Sequence, residues 1–238
     1  MAAMHDMATP VTTRMHVQAT AAAAAQRATP EGQKETEGLG MCVVGQVSVS
    51  SDGVLFATSG HHGHVAVWYT ATFKLVRTLQ GYCLGKHVYC NAWSPVGGLL
   101  ATGSYDGTVT VWDVTTGAVH VSQQGHGNDV RSEAVTSVAW SPDGLKLCKG
   151  SRDQTARVWE LATGSLLRVL DEAGYSVMKN SVARSPAGTC VATCTGENVH
   201  VWDAATGERV RELGDEYDAA LIGLVAVSYT HLTLPTKA

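Results

Sequence analysis

Four short segments of this chain end in the same way: "HVAVWY", "TVTVWD", "TARVWE" and "NVHVWD". Their tryptophans, Trp68, Trp112, Trp159 and Trp202, recur at intervals of roughly 43 to 47 residues. A fixed period of that length constrains the fold more than any composition does. Each unit is too small to bury both its faces, so successive units must stack and share a core. Ahead of each Trp segment stand two further apolar runs, as in "HVYCNAW" then "LLATGS", or "AVTSVAW" then "LKLCKGS". Behind it comes one more: "FKLVRTL", "GAVHVSQ", "GSLLRVL" and "GERVREL".

Each unit therefore reads as four strands. The first, with Val135, Val138, Ala139 and Trp140, is near-continuously apolar and is expected to be buried on both faces. The third alternates, with Val109 and Val111 on one side and Thr108, Thr110 and Trp112 on the other. "SPDG" and its variants join strands, supplying the fixed φ of Pro and the tolerant φ of Gly that tight turns require.

The four in-register "VW" segments, each following an "SPDG"-like turn, resemble the WD40 repeat family from about residue 41 onward. That resemblance implies an all-β chain, a WD40 β-propeller fragment of four four-stranded blades. The expected blades are residues 41–80, 81–124, 125–170 and 171–214. Residues 1–40, rich in Ala, Thr and Met without alternation, are expected to be a disordered tail. An organelle transit peptide is the alternative reading of that tail. Residues 215–226 begin a fifth unit on period: Ile222 falls where Val135 does, and Val225 where Val138 does. The last stretch, residues 227–238, abandons the repeat and resembles a translated sequencing-library adapter. Propellers of this family usually close with seven or eight blades, so four are expected to form an open arc.

Charge argues against several functions. The formal net charge is −4, and no Lys/Arg cluster is present, so direct nucleic-acid binding is not expected. No apolar run is long enough to cross a bilayer as a helix, and no membrane partner is expected. The six cysteines form no CxxC pair, which suits an intracellular compartment, cytoplasmic or nuclear. No HExxH, GxSxG or glycine-rich phosphate loop occurs, so neither an enzyme nor a cofactor site is expected.

The resemblance also implies a buried relay of Trp, Ser, Asp and His within a blade. The third unit offers Trp159, Ser151, Asp153 and His126, the indole donating to Ser151, Ser151 to His126, and His126 to Asp153. The second offers Trp112, Ser104 and Asp106, with His87 in place of the usual histidine. The outer two units lack these residues, having Gly60 and His62 in one and Cys194 and Gly196 in the other, and are expected to rely on apolar packing. His61, Tyr105 and Arg152 occupy the turn position that faces the partner-binding rim in such proteins. The expected function is a non-enzymatic scaffold that binds proteins or peptides. Two alternatives are a regulatory propeller attached to a catalytic domain and a metal-binding propeller using His61, His62 and His64. The plainer reading of those histidines is an exposed turn, since side chains diverge there.

Overall fold

The computed structural model describes residues 44–60, 63–80, 87–124, 134–171, 181–195 and 198–213. The N-terminal tail, the start of a fifth unit and the adapter-like terminus lie outside them. The chain forms four antiparallel sheets of four strands, each ordered as in the sequence. The first holds β1 (Val44–Val49), β2 (Leu55–Gly60), β3 (His64–Tyr69) and β4 (Leu75–Gln80). The second holds β5 (Val88–Trp93), β6 (Leu99–Ser104), β7 (Thr108–Asp113) and β8 (Val119–Gln124). In the third are β9 (Val135–Trp140), β10 (Lys146–Ser151), β11 (Thr155–Glu160) and β12 (Leu166–Asp171). The fourth contains β13 (Ser181–Arg184), β14 (Cys190–Thr195), β15 (Asn198–Asp203) and β16 (Arg209–Leu213). Among the described residues no helix is long and apolar enough to cross a membrane.

The sheets stack in chain order, with β1 against β5, β5 against β9, and β9 against β13. No comparable packing joins the first sheet to the fourth among the described residues. One core lies at each junction. Leu100, Trp112 and Val114 of the second sheet join Ala57, Val65, Val67 and Leu79 of the first. The opposite face of the second sheet, with Cys90, Ala101, Val109 and Val111, meets Val135, Val138, Trp140 and Leu147 of the third. Cys148, Ala156, Val158 and Leu170 then meet Val182, Val191 and Trp202. The alternation along β7 thus sends Trp112 to one core and Val109 and Val111 to the next. Both faces are dry because both have a neighbouring sheet.

The first strand, expected from the sequence to be buried on both faces, is only partly so. In β9, Thr136, Ser137 and Ala139 keep partial exposure, whereas β10 is buried from Leu147 to Ser151. An inner strand is hydrogen-bonded on one edge only, whereas the second strand is covered on both edges and both faces. Burial falls again at the outer strands, where Val119, Leu166 and Val210 stand exposed.

Polar groups lash the junctions as well. The Trp93 indole donates to the Ser48 carbonyl at 3.1 Å, and the Trp140 indole to the Ala92 carbonyl at 2.9 Å. At the outer edge, Arg77 reaches the carbonyls of Thr115 and Thr116, and Arg168 reaches that of Ala205. The "SPDG"-type turns close on themselves: the Ser50 hydroxyl donates to Asp52 at 2.6 Å, and the Val54 amide donates to Asp52 at 3.0 Å. Ser141 and Asp143 repeat the motif. These bonds, the serine's foremost, hold both carboxyls below their ordinary range.

One turn departs from the repeat. Gly63 and Gly107 carry φ of 72° and 79° where the second strand turns into the third, and Gln154 occupies the same place with φ of 70°. The left-handed region penalises any residue with a Cβ. Gln154→Gly is therefore expected to stabilise the chain by about 1 kcal/mol. Denaturant unfolding checks this, and a midpoint that fell would mean the Gln154 side chain supplies something the backbone strain conceals.

Candidate docking surface

The turn between the second and third strands is built alike in the second and third sheets. The Tyr105 amide donates to the His87 carbonyl at 2.8 Å, and the Arg152 amide to the Ala134 carbonyl at 3.1 Å. These bonds tie each turn to the entry of the first strand of its own sheet. Below them, the Asp106 amide lies 3.5 Å from the Ser104 hydroxyl, and the Asp153 amide donates to the Ser151 hydroxyl at 3.2 Å. Each Asp then accepts from the residue that starts the third strand, Thr108 at 3.0 Å and Thr155 at 2.9 Å. Ser104 and Asp106, like Ser151 and Asp153, therefore close turns.

The indoles bind elsewhere. Trp112 donates to Thr102 at 2.8 Å, not to Ser104. Thr102 in turn donates to the Thr110 carbonyl at 3.1 Å, so both groups are satisfied in a dry site. The two outer sheets, expected to lack any such link, have it as well: Trp68 donates to Thr58 at 3.1 Å and Trp202 to Thr193 at 2.8 Å. The third sheet, whose set looked the most complete, is the exception. There the fourth residue of the second strand is Lys149 where the other sheets have Thr. The buried Trp159 Nε1 has no acceptor, and the Lys149 Nζ likewise has no partner. The ammonium lies 4.5 Å from the centre of the Trp159 ring, a cation–π contact that offsets part of its desolvation. Burial first, and Arg157 second, hold the Lys149 pKa down to about 7. His126, the proposed third member of the relay, lies outside the described residues.

Around Tyr105 and Arg152 a second cluster assembles. Val88 pairs with Ser104 and Cys90 with Gly103, so Tyr89 between them is the extra residue of an irregularity in β5. The Tyr89 and Tyr105 rings meet edge to face at 6.0 Å, and His87 stands 6.3 Å from Tyr105 and 6.1 Å from Tyr89. The Arg152 guanidinium carbon sits 5.6 Å from the Tyr89 centroid, which joins the second sheet to the third. All four side chains are half-buried. Arg152 Nε is buried without a partner. Its neighbour Arg157 is instead held by Asp153 at 3.4 Å.

His61 and His62 lie outside the described residues. His64 opens β3, and among the described residues no group of three His, Cys, Asp or Glu is placed to hold a metal ion. Cys90 is buried, which pushes its thiol up to about 12 and keeps it protonated at neutral pH. Neither Cys90 nor Cys148 is in a disulfide.

Stacked four-stranded sheets joined through their first strands, with repeated Trp–Thr links inside them, define a β-propeller of the WD-repeat class. A family model described as "WD domain, G-beta repeat" matches residues 73–113 and 118–160. The chain is 34% identical over 90 residues to the WD repeat-containing protein VIP3 of Arabidopsis thaliana, covering 33% of this chain and 28% of that protein. It is 36% identical over 72 residues to the pre-mRNA-splicing factor PRP46 of Eremothecium gossypii, covering 28% of this chain and 16% of that one. The match thus spans less than a third of either relative's length. A chain in the crystal structure of the mitotic checkpoint complex superposes with a TM-score of 0.64 at 27% identity, over 74% of this chain and 52% of that one. Residues 73–113 and 118–160 thus match WD40 repeats, and the fold is that of a WD40 propeller fragment.

Proposed function

We propose that this chain is a non-catalytic scaffold that docks a partner protein on the face formed by His87, Tyr89, Tyr105 and Arg152. The cluster itself carries the reading. Aromatic rings and a guanidinium lie together at one end of two adjacent sheets, and Tyr and Arg are the residues that most often anchor interfaces. The backbone bonds from Tyr105 and Arg152 to the strand entries hold these anchors in place before a partner arrives, which lowers the ordering cost of binding. One relative is a splicing factor and the structural neighbour sits in a multiprotein complex, in keeping with service inside an assembly. An intracellular setting goes with this reading, supported by the free thiols of Cys90 and Cys148.

Site-specific photocrosslinking tests it. A photoreactive phenylalanine analogue at position 105 is expected to capture discrete proteins from extract, while the same group at Thr116, in the turn after β7, is not. Equal labelling from both positions would remove the cluster from consideration as a docking face.

A further inference from the structure

The docking reading leaves the partner's chemistry open, and the charges around Arg152 narrow it. Among the described residues the Arg152 side chain has no ion pair and no hydrogen bond, only the face of Tyr89. The acids nearest in sequence are already engaged. Asp153 accepts from Thr155 and pairs with Arg157, and Asp106 accepts from the Thr108 amide. A half-buried guanidinium stacked on an aromatic ring keeps its charge and its planar set of donors available to an acceptor supplied from outside. We propose that this face recognises an aspartate or glutamate side chain on a partner peptide, its carboxylate seated on Arg152 and its flanking apolar residue against Tyr89 and Tyr105. The inference rests on the docking reading above.

A carboxylate fits better than a phosphate. A phosphoryl group carries a charge between −1.5 and −2 at neutral pH and is usually held by more than one cation. Here the second candidate, Arg157, is neutralised by Asp153, and Lys149 lies buried beneath the sheet, where its charge is disfavoured. Asp106 in the adjoining turn adds negative potential that a dianion would meet and a single carboxylate meets more weakly. One unmatched positive charge calls for one negative charge.

The test is selection of random twelve-residue peptides displayed on phage against the full chain. Synthetic copies of the winners are then measured against wild type, Arg152→Gln and Tyr105→Ala, with thermal unfolding confirming that each variant folds. Winners are expected to share an Asp or Glu next to an apolar residue. Affinity should drop at least tenfold on Arg152→Gln, and equally when the peptide's acid becomes its amide, a change that needs no folded variant. Peptides that lose binding on Tyr105→Ala but show no preference for an acid would overturn the carboxylate inference and leave the docking face intact. Winners indifferent to both substitutions would overturn both. Peptides that bind tenfold tighter with phosphoserine in place of the acid would assign the face to phosphopeptides instead.

Discussion

Lys149→Thr is expected to raise the unfolding free energy of this chain by roughly 3 kcal/mol near pH 7. A lysine of the unfolded chain titrates near 10.5, and burial brings Lys149 down to about 7 in the fold. Below the lower value both states are charged, and the fold bears the whole desolvation of the ammonium. Between the two values the unfolded chain binds more protons than the folded one, so stability rises with pH. Above about 10.5 both states are neutral and the penalty has gone. Threonine removes that penalty and gives the Trp159 indole the acceptor that Thr58, Thr102 and Thr193 give their own tryptophans. The space left by the lysine stem and the lost cation–π contact offset part of the gain.

The advantage of Lys149→Thr should therefore shrink steadily between about pH 7 and pH 10, as read from denaturant midpoints at each pH. Lys149→Met keeps the stem and removes the charge, so it should share the pH-dependent part of the gain and lack the indole bond. The charged side chains on the strands packed against β10 are Arg157 and Glu160 on β11 and Arg184 on β13, and of these only Arg157 adds to the effect of burial on Lys149. None of them changes between these variants. A gain that stayed flat with pH would assign the effect to packing, and a loss of stability on Lys149→Thr would show that the threonine register does not transfer to the third sheet.

The same residue shows where sequence reading reached its limit. The recurring tryptophans were enough to place sixteen strands in four sheets, because a period near 45 residues with two apolar faces has few other ways to become dry. The partner of each indole was harder to read. Trp112 pairs across the ladder with Leu100, and Trp159 with Leu147. On that face the next residues are Thr102 and Lys149, then Ser104 and Ser151. Alternation alone admits either residue of each pair. Reach decides: the nearer residue takes the indole, and the serine at the strand end takes the turn. The strings "FATSG", "LATGS" and "VATCT", set beside "LCKGS", contain the signal, since three threonines align and one lysine breaks the column.

The docking cluster was half legible for a similar reason. Tyr105 and Arg152 stand out by their place before a turn aspartate. Tyr89 sits inside an apolar strand, "VYCNAW", where an aromatic reads as core. Only the irregularity between Val88 and Cys90 frees it from the ladder to meet Tyr105. Bulges of this kind re-aim a side chain without leaving a mark in the hydrophobic pattern.

Gly103→Val is expected to cost about 3 kcal/mol or more and to abolish peptide binding at the cluster together with it. Gly103 lies where the second sheet presses on the third. A Cβ built there falls 2.5 Å from the Cys90 Sγ and 2.6 Å from the Val135 Cγ1, closer than real contacts allow. Both neighbours belong to a fully packed core and cannot swing away as a surface side chain would. The equivalent residue of the first sheet is Ser59, whose hydroxyl accepts from Asn91 Nδ2 of the next sheet at 2.8 Å. At Gly103 the contacts are instead the Cys90 Sγ and the Val135 side chain, so even alanine must push the sheets apart. That displacement acts next to the strand entry where Ser104 and Tyr105 hold the His87 carbonyl, and it moves Tyr105 relative to Arg152 across the same junction. Gly98→Ala is the control, because its Cβ would make only ordinary contact at 3.5 Å with Thr115. Denaturant unfolding should place Gly103→Ala between wild type and Gly103→Val, with Val135→Ala restoring part of the loss in the alanine background. Full stability in Gly103→Val would mean that the sheets are not stacked through this contact, and the alignment of Tyr89, Tyr105 and Arg152 into one face would lose its structural basis.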